Sequence, residues 1–109
     1  MEKQLSMEEI IKYYIINHEH SQCCMYWYVD DLSCIYISSL ITDDDYRNHG
    51  FATKVLNEAI AYAREYSFKE VYIMVFNHTW IIEWYRRFGF QDYIVDNDDQ
   101  DYSWLCYKL

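Results

Sequence analysis

The clearest periodic pattern in the chain lies in residues 50–66, where apolar side chains recur every three or four positions. An α-helix turns once every 3.6 residues, so this spacing places the apolar side chains on one face and most charged ones on the other. The pattern therefore predicts an amphipathic helix. Its apolar face consists of Ala52, Val55, Leu56, Ala59, Ile60 and Ala63.

Three stretches rich in aromatic and β-branched residues predict β-strands, at residues 22–29, 34–42 and 71–76. A short polar break at 30–32 favours a hairpin between the first two. The third stretch is apolar throughout, which is typical of a strand covered on both faces. Together with the helix at 50–66, the second and third strands predict a right-handed βαβ unit in which these two strands are parallel.

The last third of the chain predicts one more helix and a hairpin. The helix occupies residues 79–88 and is ended by Gly89. The hairpin strands are 90–95 and 102–109, joined by a polar, acidic loop. The apolar stripe predicted for the helix consists of Trp80, Ile81, Trp84, Tyr85 and Phe88.

The segment before the first predicted strand is ambiguous. Residues 10–16 are apolar nearly all round, so they fit a buried helix and a strand equally well. The run Ser6-Met7-Glu8-Glu9 has the capping-box pattern that starts helices. Periodicity alone does not choose between the two.

The size and charge of the chain narrow the classes of function. A length of 109 residues predicts one domain over residues 1–109, and an apolar fraction of 52% is sufficient for a packed core. A net charge of −9 disfavours nucleic acid and anionic membranes as partners and favours cationic molecules, although acidity also serves solubility alone. No apolar run approaches about 18 residues and no basic-then-apolar leader opens the chain, so we expect a cytoplasmic location.

The four cysteines are not spaced like metal ligands. None forms a C-x-x-C pair, and none is spaced from a histidine as in a zinc site. We therefore expect buried, reduced thiols and no metal.

The use of glycine points to the start of the long helix. The chain has only two glycines, where about eight would be usual for its length. Gly50 lies where an apolar strand gives way to the helix, and glycine allows another molecule to approach the backbone closely. The start of a helix offers unpaired N–H groups and the positive end of the helix dipole. The junction therefore predicts a binding site for an anion such as a phosphate.

Two motifs in this part of the chain resemble the GCN5-related N-acetyltransferase (GNAT) superfamily. The family's pyrophosphate loop, Q/R-x-x-G-x-G/A, reads Arg47-Asn48-His49-Gly50-Phe51-Ala52 here, after the lead-in Asp43-Asp44-Asp45-Tyr46. It lies between a predicted strand and an amphipathic helix, which is the context that the motif requires. The second motif, Y-x-x-x-G-F, is matched in full by Tyr85-Arg86-Arg87-Phe88-Gly89-Phe90. The resemblance runs from about Cys34 to Phe90, over half of the chain.

This resemblance implies a fold and an activity. The fold would be α/β (α+β): a mixed, mostly antiparallel, twisted sheet with flanking helices and a central parallel strand pair splayed by the cofactor. The cofactor would be acetyl-CoA, and the acetyl group would pass by direct attack to a primary amine. The acceptor would be a cationic small molecule or a lysine or N-terminal amine. The alternative from another class is a non-catalytic acyl-CoA-binding or protein-interaction module with the same fold.

The resemblance also implies roles for individual residues. Tyr85 would be the general acid that protonates the departing CoA thiolate. The other candidates would bind the cofactor: the backbone of Leu40, Ile41 and Thr42 at the pantetheine arm; the amides of Arg47, Asn48, His49, Gly50, Phe51 and Ala52 at the pyrophosphate, with the hydroxyl of Thr53; and Asn77 or His78 at the position of a family asparagine.

The chain departs from the family pattern at two chemically important positions. The family's asparagine lies seven residues before the tyrosine, where this chain has His78, and Asn77 lies one residue earlier. Some members carry a glutamate base in the preceding strand, where this chain has Ile73. An amine with a pKa near 10 must lose a proton before it attacks, so a base is needed. The candidates are His18, Glu19, His20 and Asp43, among which the sequence does not choose.

The short front of the chain leads to the prediction of a homodimer. Only about 33 residues precede Cys34, where the family normally has one or two helices and a first strand. Their loss would expose apolar surface, and such patches usually mark partner sites. The strand at 102–109 is the expected edge for pairing between chains. The alternative is a monomer in which residues 1–20 cover the gap. The aromatic residues that could form the patch are Tyr26, Trp27, Tyr28, Trp104 and Tyr107.

Overall fold

The structure is a computed structural model that describes residues 10–43, 50–76, 80–93 and 101–109. The predictions for Arg47, Asn48, His49, Asn77 and His78 lie outside the described residues. So does the capping-box run that begins at Ser6, and so does most of the acidic loop of the last hairpin.

The described residues form six strands and two helices. Each predicted element is present with the predicted type, and the ambiguous segment after residue 10 is a strand. The elements are β1 (Ile11–Asn17), β2 (Ser21–Tyr28), β3 (Asp31–Thr42), α1 (Phe51–Glu65), β4 (Glu70–Phe76), α2 (Trp80–Phe88), β5 (Gln91–Tyr93) and β6 (Tyr102–Lys108).

All six strands belong to one sheet, in the order β1-β2-β3-β4-β6-β5. Strands β3 and β4 are parallel, and every other neighbouring pair is antiparallel. This confirms the predicted mixed sheet with a parallel pair. The prediction that the C-terminal strand is a sheet edge is wrong, because β6 lies between β4 and β5. All three residues of β5 are exposed, which suits the rim of the sheet better than its interior.

Both helices pack on the same face of the sheet, and the core lies between them and the strands. Alternate residues of a strand point to opposite faces, so only every second strand residue reaches this core. In β4, Val71, Ile73 and Val75 are buried, whereas Met74 and Phe76 are about half exposed. The prediction that this strand is covered on both faces is therefore wrong within the described residues.

The parallel pair separates half-way along its length. Backbone pairing of β3 with β4 begins at Cys34 with Glu70 and stops at Ile37 with Ile73. The next residue, Ser38, is an extra residue in the ladder with β2, and its hydroxyl donates a hydrogen bond to the carbonyl oxygen of Cys24 at 3.1 Å. A bulge of this kind bends a strand and increases its twist. The far end of β3 therefore diverges from β4, as the predicted splayed pair requires.

Candidate active site

A cleft of about 410 Å³ opens where β3 and β4 diverge. The end of β3, the start of α1 and one side of α2 form its walls. The fold thus brings Tyr85 to the same cleft as all seven predicted cofactor residues that the structure describes. These are Leu40, Ile41, Thr42, Gly50, Phe51, Ala52 and Thr53.

The start of α1 suits a phosphate group. Gly50 precedes the helix in the left-handed conformation, with φ +83° and ψ 3°, which glycine adopts at little cost. A Cβ atom built on Gly50 would meet no described atom within 4 Å, so the space in front of the helix is open. The first turn of α1 contains no acidic residue that would repel an anion. These observations fit a diphosphate held by the N–H groups of a helix start.

The end of β3 offers backbone groups on the side of the cleft. On its other side it pairs with β2, and the Ser21 hydroxyl donates to the carbonyl oxygen of Ile41 at 3.0 Å and bonds the Thr42 hydroxyl at 2.9 Å. Toward β4, no described strand pairs with β3 beyond Ile37. An extended arm that carries amide groups can pair with such an edge as an added strand.

Tyr85 forms the inner wall of the cleft and is only 4% exposed. Its ring packs edge-on against Trp84 and Phe90, at centroid distances of 5.0 and 5.4 Å. Burial raises the pKa of the Tyr85 hydroxyl well above its usual value, and the neighbouring Cys23 thiol raises it further. The hydroxyl is therefore protonated at neutral pH, which is the state that a general acid needs.

The motif Y-x-x-x-G-F has a structural explanation in the end of α2. The N–H groups of Gly89 and Phe90 both donate to the carbonyl oxygen of Tyr85, and Gly89 also donates to that of Arg86. With the Tyr85–Phe90 ring contact, this is a Schellman motif, which requires a left-handed residue after the helix. Gly89 has φ +132°, and a Cβ on it would lie 2.9 Å from Cε2 of Tyr107. The motif therefore fixes the position of Tyr85 relative to the sheet.

Three cleft residues were not predicted as part of the site. Trp80, Ile81 and Trp84 line the cleft, although the sequence pattern assigned them to the core. The buried residues of α2 are Ile82 and Tyr85, while Trp80 is 70% and Ile81 38% exposed. The predicted stripe is therefore wrong at Trp80 and Ile81, whereas Trp84 both lines the cleft and packs against the core. The sequence does carry a signal: the apolar residues of this helix cover more than one face, so they cannot all reach the core.

None of the four candidate bases lines the cleft, and three of them, Glu19, His20 and Asp43, lie near its mouth. His20 Nδ1 lies 3.5 Å from Oδ2 of Asp43, and its ring stands edge-on to Phe51 at 5.3 Å. Glu19 approaches the other ring nitrogen of His20 at 3.8 Å. His18 instead contacts Glu58 on the outer side of α1, with Nε2 and Oε2 2.6 Å apart. His20 and Asp43 are thus the candidates closest to the start of α1.

Among the residues that the structure describes, the remaining reactive side chains do not form a second centre. The structure has four free cysteines, of which Cys23 and Cys106 are buried. In the described ranges, no group of three or more potential metal ligands comes together. Nor is any described helix long and apolar enough to cross a membrane.

Comparison with known proteins places this cleft in a family. The profile described as the Acetyltransferase (GNAT) family matches residues 10–90, which is most of the chain. The chain belongs to the GNAT acetyltransferase family. GNAT acetyltransferases use acetyl-CoA as the acetyl donor. No curated protein sequence matches the chain significantly.

Solved structures share the GNAT fold. A GNAT family acetyltransferase from Elizabethkingia anophelis with acetyl-CoA bound has a TM-score of 0.73 and 18% identity, covering 92% of this chain and 77% of that chain. An acetyltransferase from Bacillus cereus has a TM-score of 0.72 and 18% identity, covering 96% of this chain and 80% of that chain. Arabidopsis thaliana NAA60 in complex with a bisubstrate analogue has a TM-score of 0.66 and 21% identity, covering 82% of this chain and 64% of that chain. At these identities the likeness establishes the fold and not the acceptor.

Proposed function

We propose that this GNAT protein transfers the acetyl group of acetyl-CoA to the nitrogen of a primary amine. The observation that carries the proposal is the convergence of three features in one cleft. These are the helix start at Gly50, the edge of β3 beyond Ile37 with which no described strand of the parallel side pairs, and the buried hydroxyl of Tyr85.

Each feature has a distinct task in the proposed reaction. The N–H groups at the start of α1 would bind the diphosphate, and the end of β3 would bind the pantetheine arm that bears the thioester. As the amine nitrogen forms its bond to the acetyl carbon, the carbon–sulfur bond breaks. Tyr85 would donate its proton to the sulfur as the carbon–sulfur bond breaks, because its hydroxyl is protonated at neutral pH and a desolvated thiolate has an increased affinity for a proton.

The proton that the amine must lose requires a separate base. We propose His20, paired with Asp43, for this role, because its ring contacts Phe51 at the mouth of the cleft. Ile73, at the position where some family members carry a glutamate, is buried in the core and cannot act as a base. A water molecule would have to relay the proton, because His20 does not line the cleft itself.

We further propose that the protein is a single catalytic domain located in the cytoplasm. Its acceptor would be cationic, and it would form a homodimer. The cationic acceptor is supported by the net charge of −9, which attracts polycations to the surface. Such attraction is screened by salt, so the Michaelis constant for a polyamine should rise with ionic strength more than that for a neutral amine.

The rival function is binding of acyl-CoA without catalysis. It is favoured by one observation, that the described residues lining the cleft include no carboxylate and no histidine. Release of free CoA separates the two functions. It should be measured with acetyl-CoA and a panel of polyamines, aminoglycosides, lysine peptides and neutral amines, at low and high salt.

Binding of CoA should be measured in parallel by thermal shift. A ligand specific to the folded state raises the melting temperature by mass action. Gly50→Val should remove the shift, because a β-branched residue is strained at φ +83° and its side chain would occupy the open space before α1. A shift without turnover on any amine would support the binding module, and no shift at millimolar CoA would refute the cofactor site.

A further inference from the structure

The face of the sheet that lies opposite the two helices carries a continuous layer of aromatic rings. Seven of them contact one another across the strands, with centroid distances of 5.2 to 6.4 Å. Tyr36 is at the centre and contacts four of the other rings. The seven rings are Tyr13, Tyr26, Tyr28, Tyr36, Tyr72, Tyr93 and Trp104, which we call the aromatic face.

No described helix covers this face. The rings at its two ends are the most accessible, with Tyr13 on β1 63% exposed and Tyr93 on β5 48% exposed. Ile15, Met74 and Phe76 extend the apolar surface and are also about half exposed. Strands spaced about 4.8 Å apart with about 3.3 Å per residue give this face roughly 25 by 23 Å, on the order of 600 Å². An apolar patch of this size usually marks a partner site.

The charge of this face differs from that of the rest of the molecule. On the described strands, the ionisable pair that points to this side is Glu70 and Lys108, which are direct neighbours across β4 and β6. Glu70 also accepts hydrogen bonds from Tyr72 and Cys106, at 2.8 and 3.1 Å. Asp31 lies at the rim. The face is therefore close to neutral in a chain whose net charge is −9.

We propose that the aromatic face docks against the aromatic face of a second copy of this chain, to form a dimer in which the two sheets are stacked. Two copies with a net charge of −9 repel each other over most of their surfaces, and this face is where the repulsion is least. A cationic partner would need acidic groups here, and on the described strands the face offers only Glu70, already paired, with Asp31 at its rim. About 600 Å² per copy approaches the roughly 800 Å² per partner of a standard interface.

The aromatic face contains three of the five residues that the sequence suggested for the patch, Tyr26, Tyr28 and Trp104, and differs from it at the other two. Trp27 packs against Tyr62 and Phe68 on the helix side, and Tyr107 packs against Phe88 and Phe90. Neither belongs to the aromatic face. The inference is independent of the proposed acetyl transfer, because it uses none of the cleft residues.

The test is the molar mass of three variants in solution, each with one exposed tyrosine replaced by glutamate. Tyr13→Glu and Tyr93→Glu place a carboxylate at opposite ends of the aromatic face. Tyr66→Glu is the matched control, since Tyr66 is 60% exposed but follows α1 on the helix side. Sedimentation velocity from 1 to 100 μM should give twice 13.5 kDa for the unmodified chain and for Tyr66→Glu. Both face variants should raise the dimer dissociation constant at least tenfold, with unchanged far-UV circular dichroism.

Other outcomes would overturn the proposal. A mass of one chain for the unmodified protein at 100 μM means that the face has another occupant. If Tyr13→Glu dissociates the dimer and Tyr93→Glu does not, the chains pair through the edge of β1 and not through the face. If all three variants weaken the dimer equally, the cause is added charge and not its position.

Discussion

The two glycines show how single residues determine this site. Gly50 precedes α1 at φ +83°, a conformation that favours a residue without a side chain, and no described atom lies within 4 Å of the place that a Cβ atom would take. Gly89 follows α2 and lies against Tyr107, so it is required both by its backbone angle and by the packing of the sheet. Both glycines were identified in the sequence by their motifs. Only the structure shows that their roles differ: Gly50 faces the cleft, and Gly89 fixes the position of Tyr85.

Tyr85→Phe should lower the turnover number by roughly 10²-fold or more and leave CoA binding nearly unchanged. The ring contacts with Trp84 and Phe90 remain in the variant, so only the proton donor is lost. Steady-state kinetics and the CoA-induced thermal shift measure the two effects. Tyr62→Phe is the matched control and should be fully active, because Tyr62 packs against β1 and β2 and does not line the cleft. Unchanged turnover in Tyr85→Phe would reduce Tyr85 to a packing role.

The ends of the helices show how each element is positioned. After α1, the N–H groups of Ser67 and Phe68 donate to the carbonyl oxygens of Arg64 and Ala63, at 3.1 and 3.0 Å. This is the same Schellman arrangement that ends α2 at Gly89, but Ser67 occupies the left-handed position, with φ +64°. A residue with a Cβ atom is strained there by about 1–2 kcal/mol. Helix α1 therefore ends at a less favourable residue than α2.

Ser67→Gly should stabilise the protein by roughly 0.5–1 kcal/mol, because relief of the left-handed strain exceeds the added entropy of the unfolded chain. Urea denaturation of the unligated protein measures the change as an increase in the midpoint at constant slope. Ser67→Ala is the control and should give no gain, since alanine retains the Cβ atom. An equal gain in both variants would mean that the serine hydroxyl, and not the backbone conformation, is unfavourable.

At the scale of the whole molecule, many weakly acidic groups lie in or against the apolar interior. Burial raises the pKa of Cys23 to about 12 and that of Cys106 to about 11, with the hydrogen bond to Glu70 adding to the second. Burial also raises the pKa values of five tyrosine hydroxyls. These are Tyr26, Tyr36, Tyr62, Tyr72 and Tyr85.

Stability should therefore fall steadily above about pH 9. Unfolded thiols and phenols lose protons near pH 8.5 and 10, while the folded protein keeps them, so the folded state binds more protons. For Cys23 the stabilisation is complete below about pH 9 and is lost as the pH rises toward about 12. Urea midpoints from pH 7 to 10.5 measure the decline. Cys23→Ala should lose stability less steeply between pH 9 and 10.5, by up to about 1.4 kcal/mol per pH unit. A flat profile to pH 10.5 would contradict the burial of these groups.

The sequence by itself determined the features that depend on neighbouring residues. The apolar repeat defined α1, the change from strand to helix at Gly50 marked one wall of the cleft, and the last motif located the end of α2. The sequence also predicted that β3 and β4 are parallel, because two strands connected by an amphipathic helix are usually parallel in one sheet. These features are local, so a single chain segment contains enough information to predict them.

The tertiary structure decided what depends on distant partners. Residues 11–17 are a strand because β2 lies beside them, which their own apolar pattern could not show. Strand β6 is interior because β5 pairs with its outer side, and β4 is covered on one face because both helices pack on the same side. Trp80 and Ile81 line the cleft because β3 bends away from β4 at Ser38. Strand order and the choice of face are set by long-range contacts, which no single segment of the sequence encodes.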